Sequence, residues 1–219
     1  MTQPLPSPIT CLITSGATLS ATTPADAEFR AVLALVGRAV DAGVTLVQLR
    51  EKNLTARALS ELAAGAARLA RGSATRVLVN DRADVARAAG CDGVHLASDS
   101  LEASVVRRAF GPDFLVGVSA HSAAEARAAR DGGADFALLG PVFDTPSKRA
   151  YGPPLGLDVF RAAARELSPF PVVALGGVTL ENARACFAAG ARGVAAIRLF
   201  ADAPDLAAAV RAVEEFSSQ

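Results

Sequence analysis

Gln48, Arg50 and Lys52 occupy alternate positions of the run Gln48-Leu49-Arg50-Glu51-Lys52. In a strand such residues share one face. A guanidinium grips two phosphate oxygens at once, an ammonium adds a point charge, and an amide adds neutral donors. At a strand's end this row suits a diphosphate. The alternative is that Arg50 pairs with Glu51 or another carboxylate while Lys52 is a solvated loop residue. Asn80-Asp81 closes a second apolar run, Arg76–Asn80. Asp81 reads either as a helix N-cap, with Asp84 three residues on, or as a ligand for Mg2+. Hard cations bound together with phosphates typically use one or two protein carboxylates. The chemistry open to these five residues is therefore the handling of a small, doubly anionic substrate with a metal.

More polar residues lie beyond later apolar runs. Asp144-Thr145-Pro146-Ser147-Lys148-Arg149 opens a long loop through Tyr151-Gly152-Pro153-Pro154. Its hydroxyls and cations could close over a phosphorylated ligand, or form an ordinary exposed turn. Gly176-Gly177 offers bare backbone N–H groups to an anion. Arg198 adds a cation to that pocket, unless it is held in an ion pair at the rim. His121 stands where an acid/base group could act, whereas His95, inside Val94-His95-Leu96, reads as a hydrogen-bonded core histidine.

Eight short apolar runs must position these groups: Ile9–Thr14, Thr45–Arg50, Arg76–Asn80, Gly93–Leu96, Phe114–Ser119, Phe136–Gly140, Val172–Gly176 and Gly193–Leu199. They are rich in Val, Ile and Leu, as buried parallel strands are. Alanine-rich amphipathic segments lie between them. Expected helix starts are Thr23-Pro24 with Asp26 in the first turn, Asp99 with Glu102, Ser122 with Glu125, and Thr179. Expected left-handed ends are Gly43, Gly72, Gly90, Gly111, Gly132 and Gly190. Eight βα units predict an α/β fold, a (β/α)8 TIM barrel in one domain over 1–219, with the active site at the carboxyl ends of the strands. An open doubly wound sheet is disfavoured, because no Gly-x-Gly-x-x-Gly follows the first run.

The chain has 219 residues, 51% of them apolar, ample for a buried core. Its 22 basic and 22 acidic side chains cancel, which excludes the electrostatic footprint of a nucleic-acid or anionic-membrane binder. Cys11, Cys91 and Cys186 match no metal-ligand spacing and read as buried, reduced thiols. The start of the chain lacks a signal peptide's charged and apolar regions, and no apolar run reaches membrane-spanning length. A soluble, cytoplasmic protein is expected; a homo-oligomer stays open.

Taken together, the motifs resemble the thiamine phosphate synthase family and its sister, the TenI-type thiazole tautomerases. Gln48-Leu49-Arg50-Glu51-Lys52 matches the family's diphosphate clamp, and Val79-Asn80-Asp81 its Val-Asn-Asp. The resemblance implies that Asn80 contacts a pyrimidine and Asp81 binds Mg2+. Gly117-Val118-Ser119 matches the segment whose Ser touches the pyrimidine diphosphate. Thr145-Pro146-Ser147-Lys148 matches a Thr-x-Thr-Lys loop, with Ser147 for the second Thr; its hydroxyls hold thiazole phosphate and its Lys the diphosphate. Leu175-Gly176-Gly177-Val178 matches the phosphate loop. Three stretches depart, one of them Asp144–Gly156, which is closer to the tautomerase-like relatives. Ser100 stands where the synthases carry a second metal carboxylate, so Asp99 could serve only with a shifted turn. Ala196-Ile197-Arg198-Leu199 replaces a serine-bearing segment, leaving Ile197 and Arg198 to meet the thiazole phosphate.

The activity so implied is a transferase joining hydroxymethylpyrimidine diphosphate to a thiazole phosphate, with Arg50, Lys52 and Lys148 on the leaving diphosphate. Two other readings stay open. One is a thiazole tautomerase with His121 as acid/base; the other is a non-catalytic phosphate-ester binder.

Overall fold

The structure, a computed structural model, describes residues 5–145 and 153–217. Along it run β1 (Ile9–Ile13), α1 (Ala27–Asp41), β2 (Leu46–Leu49), α2 (Ala56–Ala70), β3 (Arg76–Asn80), α3 (Ala83–Ala89), β4 (Gly93–Leu96) and α4 (Ala103–Phe110). There follow β5 (Leu115–Ala120), α5 (Ala123–Asp131), β6 (Phe136–Leu139), α6 (Gly156–Leu167), β7 (Val172–Leu175), α7 (Leu180–Ala188), β8 (Gly193–Ala196), α8 (Arg198–Ala201) and α9 (Leu206–Ser217). Each strand pairs in parallel with the next, and β8 returns to β1, closing the expected (β/α)8 barrel.

Closure splits the apolar residues into two layers, which explains why the strands read as continuous hydrophobic runs. Ile9, Cys11, Ile13, Leu46, Leu78, Phe136 and Leu138 fill the barrel's interior. Leu12, Val47, Val77, Val79, Val94 and Val116 face outward against helices. Fully burying one Phe or Leu stabilises the fold by roughly 1.5–3 kcal/mol. Small residues let the helices lie close: Ala63, Gly65, Ala66 and Ala70 are buried along α2, where Gly65 meets Leu33 of α1. Inside the barrel Gly117 is required for a similar reason. A Cβ there would lie 2.3 Å from the Phe136 ring and 2.7 Å from His95 Nδ1. All three cysteines are free and buried, and burial pushes the Cys11 and Cys91 thiols up to about 12.

At the amino-terminal end of the barrel, Arg107 of α4 donates to the Gly133 and Phe114 carbonyls and to Asp135 at 2.7 Å. Asp135 in turn accepts Val116 N–H, so one guanidinium ties α4 to the starts of β5 and β6. Among the described residues no helix is long and apolar enough to cross a membrane.

Several local expectations are corrected. α1 starts at Ala27 rather than Pro24, because Asp26 takes the cap position and Oδ2 of Asp26 accepts both the N–H and the hydroxyl of Thr23. α4 starts after Glu102, and no side chain of the Asp99–Glu102 segment caps it. Gly132 has helical φ, and Gly133, at φ +85°, makes the left-handed turn. β8 ends at Ala196: Ile197 has helical backbone angles and accepts Ala201 N–H, a turn that carries Phe200 into full burial. Ser122 does cap α5, accepting the N–H of Glu125.

Candidate active site

The carboxyl ends of β1 and β2 are stitched before they diverge. Thr14 N–H donates to Gln48 O at 3.0 Å, and Arg50 N–H to Thr14 Oγ1 at 2.9 Å. Side-chain alternation in β2 sends Gln48 inward and buries it; beyond the strand's end at Leu49, Arg50 is half-buried and Lys52 is exposed in the following turn. Glu51 points the other way and is 2% exposed. It pairs with neither flanking cation. Its carboxylate accepts the N–H groups of Gly16 and Thr18 at 3.2 Å and the Thr18 hydroxyl at 2.6 Å. This holds the β1–α1 loop against Arg50: a Cβ on Gly16, whose φ is +75°, would lie 3.6 Å from an Arg50 terminal nitrogen. Among the described residues neither Arg50 nor Lys52 enters an ion pair. Their charge is available to a ligand.

A polar relay runs beside them. Gln48 Nε2 donates to Asn80 Oδ1 at 2.8 Å, and Asn80 Nδ2 to Asp81 Oδ2 at 2.7 Å. Asp81 Oδ1 accepts Ala97 N–H at 2.7 Å. Asp81 therefore does not cap α3; Arg82 occupies that position, with no side-chain cap. Among the described residues Asp81 is the one non-glycine residue with left-handed backbone, φ +58°, a conformation that Asp tolerates better than most residues and that often marks a functional site. The relay also fixes each amide. A carboxylate only accepts, so Asn80 must show it NH2 and turn its oxygen to Gln48, which must donate in turn. Gln48 Oε1 is left buried with no hydrogen-bond partner. Such a buried unpaired acceptor can take a donor from a bound molecule.

His95 and Ser119 line the same interior, with Nε2 and Oγ 2.8 Å apart. Burial pushes the His95 imidazolium down to about 4, against the opposing pull of the Asp81 carboxylate, so the ring is neutral near pH 7. His121 is exposed beyond β5. Its Nδ1 lies 2.6 Å from Gly140 O, which makes Nδ1 the donor and leaves Nε2 as the ring's other nitrogen, without a hydrogen bond to the described residues.

Across the barrel, Val142 N–H donates to Leu175 O and Phe143 N–H to Gly176 O. The β6–α6 connection so packs directly on Gly176-Gly177. A Cβ on Gly176 would lie 2.6 Å from Pro141 Cα, and one on Gly177 would lie 2.7 Å from Phe143 Cβ. Asn182 steadies the turn, donating to Gly177 O while its oxygen accepts Thr179 N–H. Thr145 Oγ1 donates to Phe143 O; Ser147 and Lys148 lie outside the described residues. Ile197, like Leu175, packs on the inner core. Arg198 is exposed as the first residue of α8 rather than the end of a strand.

The structure thus brings Gln48, Asn80 and Asp81 into one hydrogen-bonded chain, and sets Arg50, His95, Ser119, His121, Gly176 and Gly177 on the same end of the barrel. It does not join Asp99 to Asp81. Asp99 is exposed in the β4–α4 loop, and Ser100 N–H bonds to Ala97 O. No group of three metal-ligating side chains exists among the described residues. A cavity of about 340 Å3 sits at the opposite end, lined by Arg68, Arg71, Arg76 and Asp92, where Arg76 and Asp92 already pair at 3.3 Å. The convergent, unpaired groups are at the other mouth. Sequence reasoning missed Thr14, Thr18 and the structural task of Glu51; the opposite parity of Glu51 to Arg50 and Lys52 was the available signal.

Comparison with known proteins bears on this arrangement. Residues 19–200 match the family model described as thiamine monophosphate synthase. The chain belongs to this family. A Geobacter sulfurreducens relative is 48% identical over 176 residues, covering 80% of this chain and 82% of that one. A thiamine-phosphate synthase of Moorella thermoacetica is 42% identical over 186 residues, covering 85% and 88%. The thiamine phosphate pyrophosphorylase structure from Pyrococcus furiosus superposes with a TM-score of 0.79 at 29% identity, covering 96% of both chains. In this chain Gln48, Arg50, Asn80, Asp81 and Ser119 lie toward the carboxyl ends of β2, β3 and β5.

Proposed function

We propose that this chain is a thiamine-phosphate synthase, a transferase that couples hydroxymethylpyrimidine diphosphate to a thiazole phosphate at the carboxyl-terminal mouth of the barrel. The observation that carries the reading is the relay ending at Gln48 Oε1, set beside an Arg50 free of ion pairs. An aminopyrimidine carries an exocyclic amine, the donor that the buried acceptor lacks. A diphosphate on the same molecule reaches the rim, where Arg50 and Lys52 meet its oxygens. Lys148, from the β6–α6 connection, is assigned to the same anion. Thr145, Ser147, Gly176, Gly177, Ile197 and Arg198 are assigned to the thiazole phosphate.

The reaction breaks the C–O bond between the pyrimidine methylene and diphosphate, and the thiazole nitrogen then attacks that carbon. Thiamine phosphate and diphosphate result. Catalysis consists mainly of holding negative charge as it accumulates on the leaving oxygens, which preorganised cations do well away from bulk water. Asp81 would hold Mg2+ through its carboxylate, whose two oxygens each accept one hydrogen bond and keep further lone pairs; when bound the ion would neutralise part of the departing charge. Asp99 is the second, less favoured candidate ligand. The whole chain, 1–219, is assigned to one domain acting in the cytoplasm on small phosphorylated substrates.

One observation favours a second reading. The Gly140 carbonyl accepts from His121 Nδ1 and so orients the ring, as a tautomerase acting by proton transfer would need. The two readings separate in a single pair of assays. Both substrates with Mg2+ should yield thiamine phosphate. Conversion of the thiazole tautomer alone, lost in His121→Ala and without coupling by the parent protein, would replace the synthase reading.

A further inference from the structure

His95 has two nitrogens in different surroundings. Nε2 meets Ser119 Oγ at 2.8 Å, whereas Nδ1 is buried without a partner. Nδ1 looks onto Gly117: a Cβ there would approach it to 2.7 Å, so the glycine's α-hydrogen occupies that direction. The Phe136 ring, its centroid 5.9 Å from that of His95, closes the remaining side. A bare lone pair sits acceptably over a C–H, but an N–H placed there would be a buried donor with no acceptor. The neutral ring is so confined to the form with its proton on Nε2. That proton is donated to Ser119 Oγ. No other hydrogen bond to Ser119 Oγ is formed among the described residues, so the serine's own hydrogen must point elsewhere, and Ser119 sits half-buried just above Gly117 on β5.

We propose that His95 is a positioning residue: its Nε2–H tautomer holds Ser119 Oγ as an acceptor, which turns the serine hydroxyl into an oriented donor toward a diphosphate oxygen in the barrel mouth. The inference rests on the proposed synthase reading for the identity of the anion, but not for the tautomer. With the opposite tautomer, Ser119 would spend its hydrogen on His95 and face the leaving group with lone pairs. The strand register, Gly117 and Phe136 select against that state.

The test has two arms. His95 and His121 are the chain's two histidines, so 15N-histidine labelling with His121→Ala for assignment reads the tautomer of His95 directly in the parent fold. The expected spectrum shows Nε2 protonated and Nδ1 bare; the reverse pattern, or an averaged one, overturns the proposal. The second arm measures binding of inorganic diphosphate with Mg2+ by calorimetry, and coupling by kcat and KM. Ser119→Ala should lower kcat roughly a hundredfold, as loss of one oriented donor does. His95→Leu should approach that loss, the double variant should be no worse than Ser119→Ala, and His95→Gln, which restores an amide donor near the Nε2 position, should recover most of it. Multiplicative losses in the double variant, or no rescue by a folded His95→Gln, overturn the proposal. Should His95→Leu not fold, the spectrum of the parent still decides. A parent that shows the expected tautomer and Ser119-dependent diphosphate binding, yet couples no substrates, would sink the synthase reading and leave the positioning role standing.

Discussion

Asp81→Asn should invert the polar relay. In the parent, the Asp81 carboxylate accepts from Ala97 N–H and from Asn80, which forces Gln48 to donate and leaves Gln48 Oε1 buried without a partner. An asparagine keeps its oxygen on Ala97 N–H and turns NH2 toward Asn80. Asn80 must then flip to offer its oxygen, and Gln48 must flip to accept from Asn80. All three bonds survive, but the unpartnered group of Gln48, assigned above to the pyrimidine amine, changes from C=O to NH2. The fold loses only the difference between charge-assisted and neutral hydrogen bonds, about 1–2 kcal/mol, and the melting temperature should drop by roughly 2–8 °C. Turnover loses far more. Removing the charge that would hold Mg2+ costs roughly 3–4 kcal/mol at the transition state, and opposing two donors at the pyrimidine amine costs roughly 1–3 kcal/mol more. The sum is a fall of about a thousandfold to a hundred-thousandfold in kcat/KM. Asp81→Ala removes the same charge without enforcing the flip. Calorimetric titration with the pyrimidine diphosphate should therefore show weaker binding to Asp81→Asn than to Asp81→Ala, while chromatography of thiamine phosphate follows rate. Equal pyrimidine affinity in Asp81→Asn and the parent protein would refute the relay argument.

Two further outcomes are expected. His95 is held at about 4 in the fold by burial, below the ordinary histidine value of about 6.5. As pH falls from about 6.5 toward 4 the unfolded chain takes up a proton that the fold refuses, so stability should decline by up to roughly 3 kcal/mol and then level off. Denaturant unfolding in metal-free buffer at successive pH values, compared with His95→Gln, isolates this one proton; parallel profiles would contradict the burial assignment. Glu51→Ala strands two N–H groups and a hydroxyl in the β1–α1 loop, and should destabilise the protein by roughly 2–4 kcal/mol. Because Gly16 lies against Arg50, KM for the diphosphate substrate should also rise, whereas Glu51→Gln should keep part of both; unchanged stability in the Ala variant would refute the loop-anchoring role.

The barrel was legible because strands buried on both faces must be apolar throughout, and turn residues punctuate eight such runs. The local departures share a cause. Asp81 and Asp99 stand at capping distance from Asp84 and Glu102, but a carboxylate goes to the best donor in three dimensions, and for Asp81 that is Ala97 N–H, sixteen residues on. The last strand looks longer in sequence than in the fold because Ile197 and Phe200 are apolar whether they extend a strand or turn into α8. Gln48 could be read as inward because period two is a property of a strand, but β2 ends at Leu49, so Arg50 lies past the strand and Lys52 lies in a turn. The relay through Asn80 could not: β2 and β3 register Gln48 beside Leu78, so the amides meet diagonally. Glu51 was hidden by its neighbours, since a carboxylate between two cations invites a salt bridge that the backbone's alternation forbids.

The most direct measurement is the rate at which diphosphate and thiamine phosphate appear from both substrates with Mg2+, in the parent and in Arg50→Met. The guanidinium forms no ion pair among the described residues, so the variant should melt within a few degrees of the parent. Its turnover should fall roughly a hundredfold, with the two products still released in equal amounts. Near-parental turnover in Arg50→Met, or no product from the parent, would contradict a barrel mouth built to draw off a diphosphate.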